Sequence, residues 1–398
     1  MIPLLFILYY FSKTFITCYF LINYLIAVVI YFKASKNYFP RMKYTQEEKK
    51  KFDEQNQDAS KHKKQYFHED YPSFSRIEFN SISFAKIYFG TLNYFWLKAF
   101  LGVLFLFLIW LRLKVYFIGR SIERDFSKED RANLMKIANG LVSLLYKSQG
   151  VWVTETNLEE DLKVKEVYRK YLGPNYDPKE YKEKYTTVIA NHVSWADVLY
   201  MSAKVSSSFI AKDSVKQVPL AGYISGAFKT LYINRSSTDS KKEILNDILK
   251  RQLDYAKGTA FMPLCLYPEG TTSNGRSIIS FKKGAFYSLT PIKMFLMKVD
   301  NKIGSFPLAA GGMNILIHLI LSLTYLKNDF EAIELPVFAP NEYLYENFQH
   351  FGKDKPEIFS EACRRVMSEI GALPLSNSSF DTKLNYMSEV NRKKIKNT

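Results

Sequence analysis

Cysteine is scarce. The three in 398 residues, Cys18, Cys265 and Cys363, are odd in number, far apart and outside any C-x-x-C spacing. That usage argues against both a disulfide framework and a cysteine-built zinc site, and suits a reducing compartment. No repeat period is visible, no G-x-S-x-G elbow marks a serine nucleophile, and no amphipathic Arg-rich presequence is present. Acidic residues are outnumbered, 39 Asp and Glu against 55 Lys and Arg, for a formal charge of +16. Such a surplus fits an anionic partner, either nucleic acid or a phosphate-bearing membrane surface and cofactor. The 47% hydrophobic content favours the membrane, and no nucleic-acid partner is expected.

Long apolar runs are present. Thr14 to Phe32 carries 19 residues without a charge, about the length that crosses roughly 30 Å of hydrocarbon as a helix. Its n-region lacks a basic cluster and no small-x-small cleavage site follows, so the segment reads as a membrane helix rather than a signal peptide. Ala99 to Leu111 is a shorter apolar segment of 13 residues. It extends to Tyr94 if Lys98 snorkels, and its length favours a re-entrant or interfacial helix. Pro307 to Leu326 has 20 residues free of Asp, Glu, Lys and Arg but carries Gly311-Gly312, Asn314 and His318. Lys33 to about Phe74 is dense in charge and amides and poor in aliphatics, a solvated linker or exposed helix.

From about Tyr185 short β-rich runs alternate with helical stretches. Candidate strands are 185–190, 208–212, 230–233, 264–267, 292–299 and 333–338. This alternation predicts an α/β domain whose central sheet is mostly parallel and flanked by helices. The clearest helix is expected to begin at Ser240, which forms a capping box with Glu243, to present Ile244, Leu245, Ile248, Leu249 and Leu253 on one face, and to stop at Gly258.

Three strand ends carry polar clusters. The first, Asn191-His192-Val193-Ser194-Trp195-Ala196-Asp197, stands where open α/β sheets place ligands. A His there takes a proton from an alcohol when a carboxylate fixes its tautomer, and Asp197 is the candidate carboxylate. Ser194-x-x-Asp197 reads equally well as a capping box, with His192 a surface turn residue. The second cluster, Tyr232-Ile233-Asn234-Arg235, runs through Ser236, Ser237, Thr238 and Asp239 into the capped helix. A guanidinium beside helix amides suits phosphate, although an Arg at a strand end is more often solvated or ion-paired. The third, Tyr267-Pro268-Glu269-Gly270-Thr271, ends a buried strand in a tight turn and continues to Lys282-Lys283-Gly284. Glu269 is a candidate for holding a substrate hydroxyl, ordering Arg235, or both.

In that order the three clusters resemble the glycerolipid acyltransferase (PlsC-like) family, whose signature joins a His-x-x-x-x-Asp box, a strand-end Arg and a Pro-Glu-Gly-Thr turn. The lysophospholipid acyltransferase branch is the more similar, through Lys212-Asp213-Ser214 with Val218-Pro219-Leu220-Ala221-Gly222, residues 269–286, Glu334 to Pro340, and Arg364-Arg365-Val366-Met367. The likeness covers roughly residues 90 to 385. It leaves the membrane helix over 1–32 and the charged linker over 33–75 unexplained, and the expected order after them is an embedded or re-entrant helix over 76–120, an acyltransferase domain over 121–385 and a basic tail over 386–398. A crossing at 307–326 would part the strand 333–338 from its sheet, so an embedded or membrane-resting helix is expected there. His318 is expected to be a packing residue.

The resemblance implies an acyl-CoA-dependent transfer in which His192, oriented by Asp197, deprotonates a lysophospholipid hydroxyl. Arg235 would hold the acceptor phosphate, with Asn191, Glu269, Gly270 and Thr271 shaping its pocket. Lys212, Lys282 and Lys283 would meet acceptor or CoA phosphates, and Trp195, Tyr223 and Phe286 would set the pocket's depth. Backbone amides near Gly270 or in the helix after His192 are candidate oxyanion donors. No bound cofactor is expected, acyl-CoA being a co-substrate. The expected partners are membrane phospholipids and acyl-CoA, with a membrane protein complex as a further partner. The endoplasmic reticulum with a cytosol-facing site is the expected location, a mitochondrial membrane the alternative. Two other readings are carried: a glycerol-3-phosphate or lysophosphatidate acyltransferase, and a catalytically idle structural subunit.

Overall fold

Strands separated by helices organise the chain from residue 151 onward. The computed structural model describes residues 2–38, 71–75, 83–124, 126–234, 238–260, 262–299, 306 and 308–395. The strands are β1 (Val151–Asn157), β2 (Thr187–Ala190), β3 (Ile210–Lys212), β4 (Leu231–Ile233), β5 (Leu264–Leu266), β6 (Ile292–Lys298) and β7 (Asn328–Phe338). Five of them form a sheet in the order β1-β7-β6-β2-β5, while β3 and β4 make a separate parallel pair. The pair hangs on the β5 edge through a bridge between Ser208 and Leu264. Neighbours in the main sheet run parallel except β6 and β7. The α/β architecture with a mostly parallel sheet is thus observed.

The helices used below are α1 (Ile2–Tyr38), α2 (Phe84–Tyr116, with a π-helical turn at Thr91–Phe95), α3 (Trp195–Val205), α4 (Thr238–Ala256), α5 (Ile315–Leu323), α6 (Lys355–Gly371) and α7 (Phe380–Ile395). Strand side chains alternate between the two faces of the sheet. Val188 and Ala190 join Val193, Ala196 and Met297 in one core together with Ile109 and Leu113 of α2 and Phe117 just after it. Ile189 points the other way, into a core with Leu264, Met294 and Phe286 that α6 covers through Phe359, Ala362 and Val366. A fully buried Leu or Phe stabilises by roughly 1.5–3 kcal/mol, so these two layers hold the sheet.

Helix α4 starts two residues before the expected cap. Ser240 lies inside it and accepts a hydrogen bond from the Asn234 N–H at 3.1 Å. Ile244 and Ile248 are buried as expected, whereas Leu253 stays exposed. Gly258, with φ of 74°, follows the helix end, a conformation that glycine adopts without Cβ strain.

Among the described residues two helices are long and apolar enough to cross a membrane by length and composition, Lys13–Ala34 within α1 and the 33-residue Phe84–Tyr116. The second is far longer than its 13-residue apolar core suggested. Lys98 does not snorkel. It is buried, and its ammonium donates to the carbonyls of Gln149 (2.9 Å), Tyr325 (2.5 Å) and Leu326 (3.1 Å). These acceptors from other elements turn the charge inward, and apolar neighbours keep the helix going on both sides of it. Helix α1 lays the stripe Asn23, Ala27, Ile30 and Ala34 inward. Asn23 accepts the indole N–H of Trp96 at 2.9 Å, and the Tyr19 hydroxyl donates to the Leu92 carbonyl at 2.6 Å, tying α1 to α2.

Helix α5 has nine residues, about 14 Å at 1.5 Å per residue and too short to cross. His318 is buried in it beside the Phe306 ring, at 5.1 Å between centroids, a packing position. Residues 71–75 close the charged segment and are not solvated throughout. Ser73, Phe74 and Ser75 are buried, and the Asn274 amide group donates to the Pro72 and Ser75 carbonyls at 2.7 and 2.8 Å.

Candidate active site

Strand pairing brings the first and third clusters together. β2 and β5 are parallel neighbours with Ile189 opposite Leu266, so the residues after each strand emerge side by side at the carboxyl edge. Ser194 caps α3 and Asp197 occupies its third position in a capping box. A carboxylate in the first turn also faces the positive end of the helix dipole. Asp197 Oδ2 accepts the N–H of Val193 at 2.8 Å and of Ser194 at 2.9 Å. The same oxygen lies 3.1 Å from His192 Nδ1. The capping box and the His-Asp pair are therefore one structure, and the two readings of this stretch coincide. The Asp197 side chain is 0% exposed and that of His192 20%, so a buried carboxylate orients an imidazole that solvent still reaches.

Glu269 is 1% exposed. Its Oε2 accepts the His192 backbone N–H at 2.7 Å and its Oε1 accepts that of Ile279 at 3.1 Å. Both oxygens are engaged with main chain, which ties the turn after β5 to the loop after β2. Burial raises its pKa to about 8, against the lowering effect of the two N–H donors. Asn191 is also buried and fully engaged. Its amide donates to the Met297 carbonyl at 2.9 Å and accepts the Met297 N–H at 2.7 Å, fastening the loop to β6. For both residues, expected to line the acceptor pocket, the contacts are those of positioning groups.

The backbone completes the lacing. Ser273 N–H donates to the His192 carbonyl at 2.8 Å, and Ala310 N–H to the Val193 carbonyl at 2.7 Å. Several expected oxyanion donors are engaged in this way. Gly270 N–H donates to the Tyr267 carbonyl at 2.9 Å, and Ala196 N–H to Ser194 Oγ at 3.3 Å. Gly270 sits at φ of 67°, and a Cβ there would stand 3.0 Å from Lys282 Cε, so glycine serves both the turn and the lysine beside it.

The remaining candidates are less closely grouped. Thr271 is buried and Lys212 is exposed at the end of β3. Lys282 is exposed, with its ammonium 5.5 Å from the centre of the Phe380 ring. Lys283 forms ion pairs with Asp354 at 2.9 Å and Glu357 at 3.0 Å and so belongs to the α6 cap. Arg235 lies outside the described residues. Trp195 and Tyr223 pack on the His192 side of the sheet. Phe286 is buried on the opposite side against Phe359, where the alternation of the sheet removes it from any pocket at His192.

One residue of the site was not singled out in the sequence. Tyr267 stacks on the His192 ring, with centroids 4.2 Å apart and planes 22° apart, and Phe209 stacks behind it at 6.5 Å. The signal was its place at the end of β5, one step before Pro268-Glu269.

Residues 173–296 match the Acyltransferase family, a span that contains both His192 and Glu269. That stretch of the chain is similar to an acyltransferase domain. The chain is 30% identical over 213 residues to the lysophospholipid acyltransferase LPEAT1 of Arabidopsis thaliana, covering 53% of this chain and 51% of that protein. It is 30% identical over 201 residues to a lysophosphatidylcholine acyltransferase of Drosophila melanogaster, covering 50% and 36%. With the human lysophosphatidylcholine acyltransferase 1 the figures are 26% over 193 residues, 48% and 34%. The chain spans about half or less of the length of these relatives. A solved structure, the 1-acyl-sn-glycerophosphate acyltransferase PlsC of Thermotoga maritima, covers 69% of this chain and 97% of its own at 14% identity, with a TM-score of 0.42. The matched residues 173–296 include the His-Asp pair, the Glu269 tie and the Tyr267 stack in one stretch.

Proposed function

We propose that this protein is a membrane-bound acyl-CoA-dependent O-acyltransferase that esterifies the free hydroxyl of a lysophospholipid, with His192 as general base and Asp197 as its orienting carboxylate. The observation that carries the reading is the 3.1 Å contact between His192 Nδ1 and a carboxylate with no solvent exposure. With Nδ1–H directed at Asp197, Nε2 is the basic nitrogen that faces a substrate. The acceptor hydroxyl gives its proton to Nε2 as its oxygen attacks the thioester carbon. The tetrahedral intermediate then expels the CoA thiolate, which takes the proton back from the imidazolium and leaves as free thiol. Asp197 stabilises the imidazolium between the two transfers. No acyl-enzyme is needed, and Ser194, whose Oγ caps α3, has a structural role.

The apolar α1 and α2 fit substrates that partition into a bilayer, and the soluble CoA head fits a site facing the cytosol of the endoplasmic reticulum. Arg235 remains the proposed phosphate holder, with Lys212 and Lys282 as further cations. The test is acylation by the purified full chain, given one acyl-CoA and a panel of lysophosphatidylcholine, lysophosphatidylethanolamine, lysophosphatidate and glycerol 3-phosphate. Lysophospholipids with a headgroup are expected to be acylated with one thiol released per ester, and His192→Ala is expected to lower kcat by about 10²- to 10⁴-fold. A preference for the last two acceptors would assign the protein to phosphatidate synthesis. No transfer to any acceptor would favour a structural subunit.

A further inference from the structure

We propose that a groove between α2 and the amino-terminal end of β1 is a binding site for an anionic membrane phospholipid that takes no part in the reaction. The groove encloses about 510 Å³. Leu97 and Leu101 of α2 form one wall and Trp152 and Leu326 the other. Leu97, Trp152 and Leu326 are 60%, 60% and 62% exposed, large apolar surface that a fatty acyl chain would cover. This wall belongs to a helix apolar enough to lie in a membrane, so a lipid tail reaches it without leaving the bilayer.

The charge lining the groove selects the headgroup. Lys98, Lys147 and Lys327 all border it. Lys98 is buried, and its three described hydrogen bonds go to neutral carbonyls. Its charge is therefore solvated by dipoles, with no carboxylate in contact among the described residues. Lys147 is exposed at the rim. Lys327 lies 5.9 Å from the Trp152 ring and pairs with Asp329 at 2.9 Å. Three cations against one carboxylate leave the apolar trough net positive, with Lys98 buried behind it and Lys147 and Lys327 exposed at its rim, the complement of an acyl chain that ends in a phosphodiester. Aromatic side chains favour the headgroup boundary, and Trp152 offers the groove an exposed one.

The groove is separate from the site at His192. It lies along Leu97 to Leu101, whereas the α2 residues packed on the core of Val193 begin at Phe105, about 6 Å further along the helix axis. A lipid held there would fix the depth of α2 beside the bilayer without entering the reaction, and the inference does not depend on the chemistry proposed for His192.

The test is native mass spectrometry of the full chain, extracted from vesicles of phosphatidylcholine doped with phosphatidylglycerol, counting retained lipids of each class. Wild type is expected to keep one phosphatidylglycerol in preference to phosphatidylcholine. Lys147→Glu with Lys327→Glu, both at exposed positions, is expected to weaken that retention at least about tenfold, and Leu101→Trp to remove it by filling the trough. Acyl transfer by the double variant, measured in neutral micelles, is expected to stay at the wild-type rate. Equal retention of both lipids by wild type and variants, or displacement of the retained lipid by acyl-CoA at stoichiometric concentration, would overturn the proposal.

Discussion

Asp197 and Glu269 are both buried beside residue 192 and differ in the atom they hold. Asp197 contacts the imidazole and two backbone amides of its own loop. Glu269 touches no side chain of the pair and accepts the main-chain N–H of His192 from the neighbouring turn. In the proposed chemistry one carboxylate acts on the electronics of the base, the other on where the base stands. Within one motif set, adjacency to the proposed reacting group does not mean contact with substrate, and the two carboxylates should fail in different ways when altered.

The larger loss of stability is expected at Glu269. Glu269→Gln keeps one acceptor oxygen and replaces the other with an N–H₂ group, so the N–H of His192 or of Ile279 loses its partner. An unsatisfied buried N–H costs about 1–3 kcal/mol, read as a lower melting temperature, and kcat is expected to fall about tenfold through displacement of the loop. The pH dependence separates this residue further. In the unfolded chain a Glu releases its proton near the usual carboxyl value of about 4.3, whereas burial holds the folded value up at about 8. Between those two pH values the folded state binds the extra proton, so its stability declines as pH rises and levels off above the upper value. Denaturant unfolding at pH 5, 6.5 and 8.5 is expected to show that decline in wild type and a smaller one in Glu269→Gln. A slope unchanged by the substitution would remove Glu269 as its source.

The smallest effect is expected at Ser194. Ser194→Ala removes a helix cap, about 0.5–2 kcal/mol of stability, and is expected to leave kcat within about threefold. Loss of all activity with the fold intact, or capture of an acyl group on Ser194, would replace direct transfer with an acyl-enzyme.

Much of the architecture was legible because strands β2 to β7 are short apolar runs ending in turn residues. β1 was not. Of its seven residues only Val151 is buried, and the strand exists because β7, far along the chain, pairs with it. Lys98 misled for a related reason, since the carbonyls that receive it come from elements about 50 and 227 positions away. The His192 and Asp197 pairing followed from local spacing on a strand-to-helix turn, where four residues fix the geometry. The engagement of Glu269 and Asn191 with main chain did not, because residue type shows that a carboxylate or amide is present but not which of its neighbours uses it.

The central claim is that Asp197 makes His192 a base, and the most direct measurement is kcat for acyl transfer by Asp197→Asn against wild type. Asp197 Oδ2 takes the imidazole and both backbone N–H groups, so an asparagine oxygen in its place keeps these contacts but carries no negative charge to stabilise the imidazolium. The account predicts a loss of about 10²- to 10⁴-fold in a protein that melts within a few degrees of wild type. A folded Asp197→Asn variant that keeps a third or more of the wild-type rate would contradict it.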